Sequence, residues 1–231
     1  VNGNNVSNRE NGSTKMNQST IPTEELKKTI TIRYAEEANK SCCLSCGGAL
    51  DKANIQTGEC FVDLGSGKGM DVLKASRVVG SSGKAYGIDF TNEMIQVAES
   101  NRKKLKLENA KFIESSIDSI PLESATADVV ISNCTINHAN DKTAVYKEIY
   151  RILKSGGRFI VSDVLAESKL PDEVTGNPEA WAGCYGGAIP KEDYFNSIRD
   201  AGFTEIEILE ESKPYEKGGV IVISLTIRSF K

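Results

Sequence analysis

Strand-like and helix-like segments alternate along most of this chain, and that alternation limits its fold more than any other feature. CFVDL (60–64), KAYGID (84–89), KFIES (111–115), ADVVISN (127–133) and RFIVSDV (158–164) read as buried strands. Between them, MDVLKASRVV (70–79), TNEMIQVAESNRKKL (91–105) and DKTAVYKEIYRILK (141–154) carry apolar residues at helical spacing, and PKEDYFNSIRDAG (190–202) continues the series. Thr91 is placed to cap its helix, and Gly156 with Gly157 to end another. FTEIEILEE (203–211) and VIVISLTIR (220–228) close the chain as strands with no helix between them, so the last strand should run antiparallel. The expected fold class is α/β, a doubly wound sheet with helices on both faces.

Upstream of the first strand the organisation differs. Residues 1–20 are rich in Asn, Ser and Gly without hydrophobic period, which reads as a disordered tail, and Met16 within it is a candidate start. A helix is expected from Pro22 to about Lys40, with Thr23 as its cap, followed by the Cys-rich loop SCCLSCGGAL (41–50). The chain divides into a tail (1–20), a helix and Cys-rich loop (21–57) and one main domain (58–231). A formal charge of −4 without a Lys/Arg block argues against nucleic acid as partner. No apolar run reaches the roughly 20 residues of a membrane span, and the polar start is unlike a signal peptide, so no membrane partner and a cytoplasmic location are expected. Six cysteines in 231 residues are too few for a secreted disulfide scaffold, and in a reducing compartment clustered thiols point to soft-ion binding or redox chemistry.

DLGSGKG (63–69) joins the first strand to the first helix of the main domain. Its glycines let the backbone turn tightly and approach a ligand beside a helix N-terminus. The spacing Gly65, Gly67, Gly69 is G-x-G-x-G, and Met70 stands where a dehydrogenase fingerprint takes its third small residue, which argues against a nicotinamide dinucleotide. Asp89 ends the second strand in GIDF, where an acid can accept from both hydroxyls of a ribose. Together these predict a nucleoside-like cofactor.

VDLGSGKG, GIDFTNEMI, ADVVISN and EIYRILKSGGRFIVSDV occur in the order found in the class I S-adenosylmethionine-dependent methyltransferases, which this chain resembles over about 58–231. The resemblance implies a Rossmann-like, seven-stranded methyltransferase sheet with an antiparallel last strand, and S-adenosylmethionine as cofactor. It places Gly65 and Gly67 toward the methionine end, Asp89 at the ribose, and SSID (115–118) with Ser116 and Ile117 beside the adenine, and it adds Asp63, Ser66, Phe90 and Asn133 as cofactor-binding residues. Many members carry Asp where Ser116 stands, which leaves Asp118, the backbone or water as other acceptors for the adenine amine.

Ligands of such sheets bind outside the carboxyl ends of the strands. Cys134 in ISNCTINH follows the fourth strand there, and Cys184 in WAGCYGGAI lies on the connection after the fifth, so both belong to the rim. Two thiolates suit a soft, thiophilic ion. The alternatives are cysteines that merely pack, or a zinc site made of Cys42, Cys43, Cys46 and one more thiol. Cys60, inside its strand, reads as packing. His138, the single histidine, reads as a solvated residue, Asn133 and Asn137 as turn residues or orienters, and Trp181 with Tyr185 as packing around Cys184.

CCLSCGGA, ISNCTINH and WAGCYGGAI sharpen the resemblance to the arsenite methyltransferases. By that resemblance Cys134 and Cys184 bind trivalent arsenic, Cys46 supplies a third thiol, and Cys42 or Cys43 takes part in disulfide formation during turnover, although the CC pair lies much closer to Cys46 here than in longer members. Arsenic bound to two or three sulfurs keeps a lone pair, so it can itself attack a methyl group and no general base is required. Partners implied are arsenite and a reducing thiol, glutathione or thioredoxin. Two other functions compete: a methyltransferase for a small organic acceptor such as a quinone precursor, and a thiol-rich arsenic-binding protein without catalysis.

Overall fold

The computed structural model describes residue 21, residues 23–38 and residues 48–231. The tail expected over 1–20, and Cys42, Cys43 and Cys46, lie outside the described residues. β1 (Cys60–Leu64) is buried along its whole length, which requires cover on both faces of the sheet. Its side chains alternate. Phe61 packs with Val72, Leu73 and Val79 of α3 (Met70–Val79) and Ala98 of α4 (Asn92–Leu105). Val62 and Leu64 pack on the opposite side with Val145 and Ile149 of α5 (Lys142–Ile152) and Ile198 of α8 (Lys191–Arg199). The expected doubly wound architecture is what the chain adopts.

β1 pairs in parallel with β2 (Lys84–Asp89) and β4 (Ala127–Asn133), while β2 pairs with β3 (Ala110–Glu114) and β4 with β5 (Leu153–Ala166). β8 (Val220–Phe230) runs antiparallel to β5 and to β6 (Glu207–Glu211), giving the order β3-β2-β1-β4-β5-β8-β6. An eighth strand, β7 (Tyr215–Lys217), pairs with β8 beside this path, so the sheet has one strand more than expected. Gly218 and Gly219, with φ of 60° and 81°, form the turn between β7 and β8. Positive φ at both central residues is the two-residue hairpin geometry that a Gly-Gly pair permits.

The helix expected over 141–154 ends at Ile152. Leu153 is already extended and pairs with Ala127, and the register then jumps to Val129–Arg158. Gly156 and Gly157 therefore serve a bulge in β5 and not a helix end, their backbone exchanging hydrogen bonds with Lys231. Thr91 holds the cap position of α4 without a side-chain cap bond, its N–H donating to Asp89 instead.

The connection from β5 to α8 holds two short helices, α6 (Asp172–Thr175) and α7 (Pro178–Ala182), the second started by the Asn177 side chain accepting from the Glu179 N–H. α2 (Ala49–Lys52) precedes β1. α1 (Thr23–Ala38) lies on α7 and α4. Leu26, Ile30 and Tyr34 recur every fourth residue on one face of α1, and this face packs on Trp181 and Phe90. Burial of Leu26 and Ile30 stabilises that docking by about 1.5–3 kcal/mol each. No helix among the described residues is long and apolar enough to cross a membrane.

Candidate functional site

Above the carboxyl ends of β1, β2 and β4, roofed by α1, lies a cavity of about 430 Å³. That is within the range of small-molecule sites. The Gly-rich turn forms its floor. Gly65 has φ of 77°, and a Cβ there would overlap the Thr135 side chain. Gly67 has φ of 50° and open space where a Cβ would be, so the backbone is bare toward the cavity. The Gly65 and Ser66 N–H groups donate to the Ile88 carbonyl at 2.8 and 3.0 Å, tying the turn to β2.

Asp89 is buried at the cavity wall. Its two oxygens accept from the Gly67 and Thr91 N–H groups, each at 2.9 Å. Burial pushes its carboxyl up from the ordinary value, and the backbone donors at Thr91, Gly67 and Phe90 pull it back down. Phe90, Ser116, Ile117, Asp118 and Asn133 line the same space. Asn133 is steered by the Ala49 N–H, which its oxygen accepts at 3.2 Å. Asp63 and Ser66 lie behind the wall: the Ser66 hydroxyl points at Gly87, and burial with Asp71 and Asp89 nearby drives the Asp63 carboxyl well up.

Cys134 and Cys184 both line this cavity, and both belong to one buried cluster with Val164, Leu170 and Ala188. Among the described residues they are two of the five non-glycine residues with positive φ, at 56° and 65°. Their backbones are held locally, Cys134 N–H donating to the Ser162 carbonyl at 2.8 Å and Cys184 N–H to that of Trp181 at 2.9 Å. Cys46, Cys43 and Cys42 lie outside the described residues, and Cys60 is buried in β1, where burial pushes its thiol up to about 11. Among the described residues no group of three or more His, Cys, Asp or Glu side chains is placed to hold a metal ion.

His138 is not the solvated residue expected from sequence. It is half-buried, with Nε2 3.4 Å from Cys184 Sγ, and burial with Lys142 and Arg33 nearby lowers it to about 4, so the ring is neutral near pH 7. Tyr34 Oη reaches the same sulfur at 3.4 Å, its phenol pushed up by burial and by Cys184. The two rings meet edge-on with centroids 5.6 Å apart. Lys217 of the β7–β8 hairpin also enters the cavity. The Gly-Gly turn signalled that hairpin in the sequence, but nothing local linked Tyr34 or Lys217 to the site. Trp181 and Tyr185 do pack: Trp181 Nε1 donates to the Thr175 carbonyl at 2.9 Å, and Tyr185 lies against Gly218.

The arrangement suits a nucleoside-like molecule with a soft ligand at one end. A family profile described as a methyltransferase domain matches residues 55–211. The chain belongs to the methyltransferase-domain family. An arsenite methyltransferase of Halobacterium salinarum is 38% identical over 173 residues, 75% of this chain and 44% of that protein. The crystal structure of an arsenic(III) S-adenosylmethionine methyltransferase from Chlamydomonas reinhardtii superposes with a TM-score of 0.69 at 29% identity, covering 91% of this chain and 74% of that one. A demethylmenaquinone methyltransferase from a Geobacillus strain is 32% identical over 111 residues, 48% of this chain and 47% of that protein. This methyltransferase domain spans about half the length of the curated relatives it matches.

Proposed function

We propose that this methyltransferase domain transfers methyl groups from S-adenosylmethionine to trivalent arsenic held by Cys134 and Cys184, and that it serves arsenic detoxification in the cytoplasm. The observation that carries the reading is that both thiols line the cavity that Gly67 and Asp89 also line. The cavity suits the cofactor: Gly67 leaves its backbone bare, Asp89 offers acceptor lone pairs where ribose hydroxyls would lie, and Ile117 with Phe90 gives an apolar wall for adenine.

S-adenosylmethionine supplies an electrophilic methyl group on a sulfonium sulfur. The protein's part is orientation. Cys134 and Cys184 replace two hydroxyls on arsenous acid with release of two waters. The lone pair left on arsenic attacks the methyl carbon, so that the carbon–sulfur bonding pair returns to sulfur and arsenic passes from the +3 to the +5 state. No proton leaves that atom, so the neutral His138 need not act as a base in the transfer. Val164, Leu170 and Ala188 around the thiols, with the α1 roof, keep water from the site. Cys46, with Cys42 or Cys43, is assigned the third thiol contact and the disulfide that forms as two thiols reduce the methylated arsenic(V) back to arsenic(III). Glutathione or thioredoxin is the reductant that restores them.

Mass spectrometry of the purified chain with arsenite, S-adenosylmethionine and glutathione tests this. Methylated arsenicals are expected, and their absence alongside intact cofactor binding overturns the reading. The demethylmenaquinone relative favours one other acceptor, a quinone precursor. Activity on such a quinol that survives Cys134→Ser and Cys184→Ser would establish it.

A further inference from the structure

Cys184 stands on a loop and not on a strand, although its side chain belongs to the buried cluster that holds Val164 of β5 and Val222 of β8. It lies on the connection between α7 and α8, and its own N–H bond to Trp181 is internal to that connection. The 3-10 turn at residues 136–138, which begins two residues after Cys134, ties it to the sheet, as Ile189 does further along the connection by accepting the Ala166 N–H. Asn137 in this turn is fully buried, and its Nδ2 donates both to the Val164 carbonyl on β5 at 2.5 Å and to the Cys184 carbonyl at 3.4 Å. The next residue, His138, meets Cys184 at its other end, Nε2 to Sγ at 3.4 Å, while its ring also bonds the Trp181 carbonyl. The two segments press together there because residue 187 is glycine, and a Cβ at Gly187 would overlap the Asn137 carbonyl oxygen.

One turn therefore grips Cys184 by carbonyl and by sulfur, and the same turn grows directly out of Cys134. We propose that Asn137 and His138 are positioning residues that set the separation and facing of the two sulfurs, so that one arsenic atom bridges them. This rests on the arsenic reading above. A bridging arsenic needs both sulfurs at one fixed spacing, and Cys184 is the one whose place depends on a loop.

The single tryptophan, Trp181, lies three residues from Cys184, so its fluorescence reports sodium arsenite binding. Arsenite is titrated into the wild-type chain, His138→Leu, His138→Gln and Asn137→Asp, and into each substitution combined with Cys184→Ser. Calorimetric S-adenosylmethionine affinity checks that each variant is folded. His138→Leu and Asn137→Asp should each weaken arsenite about tenfold, the size of one lost buried hydrogen bond, with His138→Gln recovering most of the loss. In the Cys184→Ser background the same substitutions should change nothing.

Unchanged arsenite affinity in His138→Leu and Asn137→Asp overturns the proposal. So does a loss that persists without the Cys184 sulfur, because the turn would then act on the fold and not on the pair. A wild-type chain that binds no arsenite defeats the arsenic reading and this inference with it, whereas wild-type binding with unaffected variants defeats this inference alone.

Discussion

Asp89 closes the Gly-rich turn by accepting the Gly67 N–H at 2.9 Å, across 22 residues of sequence. The same carboxylate holds the start of α4 through Thr91, so the floor and wall of the cavity are fixed by one buried acid. An acid buried in this way is retained against its desolvation cost because backbone donors compensate it.

Asp89→Asn removes the charge while keeping the shape, and one of its acceptor positions becomes a donor facing an N–H. S-adenosylmethionine affinity by calorimetry should fall about 10- to 100-fold, the size of a charged hydrogen bond. Affinity within twofold of wild type would show that Asp89 serves the fold alone.

Gly65→Ala puts a methyl group into the Thr135 side chain at φ of 77°. Urea unfolding should show a loss of about 1–3 kcal/mol, and Thr135→Ala in the same chain should recover the steric part but not the backbone strain.

Cys134 and Cys184 sit at φ of 56° and 65°, where a β-carbon is strained. Glycine at either position should therefore be more stable than serine by about 1 kcal/mol, although both remove the thiol. Thermal unfolding of the four single variants checks this, and equal stabilities would place the strain elsewhere.

Asp163, buried at the end of β5, accepts from the Tyr194 hydroxyl at 3.0 Å, and Tyr146 donates to Tyr194 at 2.9 Å. Burial raises its carboxyl from 3.8 to about 6, with Lys142 pulling it partly back. The native chain thus binds the proton more tightly than the unfolded one, so this contribution to stability is full below about 3.8 and is lost as pH rises through about 6. In urea midpoints taken from acid to neutral pH, wild type should lose stability relative to Asp163→Asn as pH rises across that window. A difference that stays flat would contradict the assignment.

The strands and long helices were legible because most carry an apolar period of their own, and the rim position of both cysteines followed from topology. Tertiary contact decided the rest. Leu153 leaves helical geometry to pair with Ala127, although its own sequence continues the helical pattern. His138 reads as polar and exposed until α1 brings Tyr34 over it and α7 brings Trp181 beside it. The Gly-Gly pair at 218–219 is a local hairpin signal, but the arrival of Lys217 in the cavity depends on where that hairpin packs.

X-ray absorption at the arsenic edge, on the arsenite-loaded chain, most directly tests convergence of the two thiols on one atom. Arsenic should be bound by sulfur in the wild type, with one sulfur fewer in Cys134→Ser and likewise one fewer in Cys184→Ser. A sulfur count that neither substitution changes would mean that arsenic binds elsewhere, and would contradict that convergence.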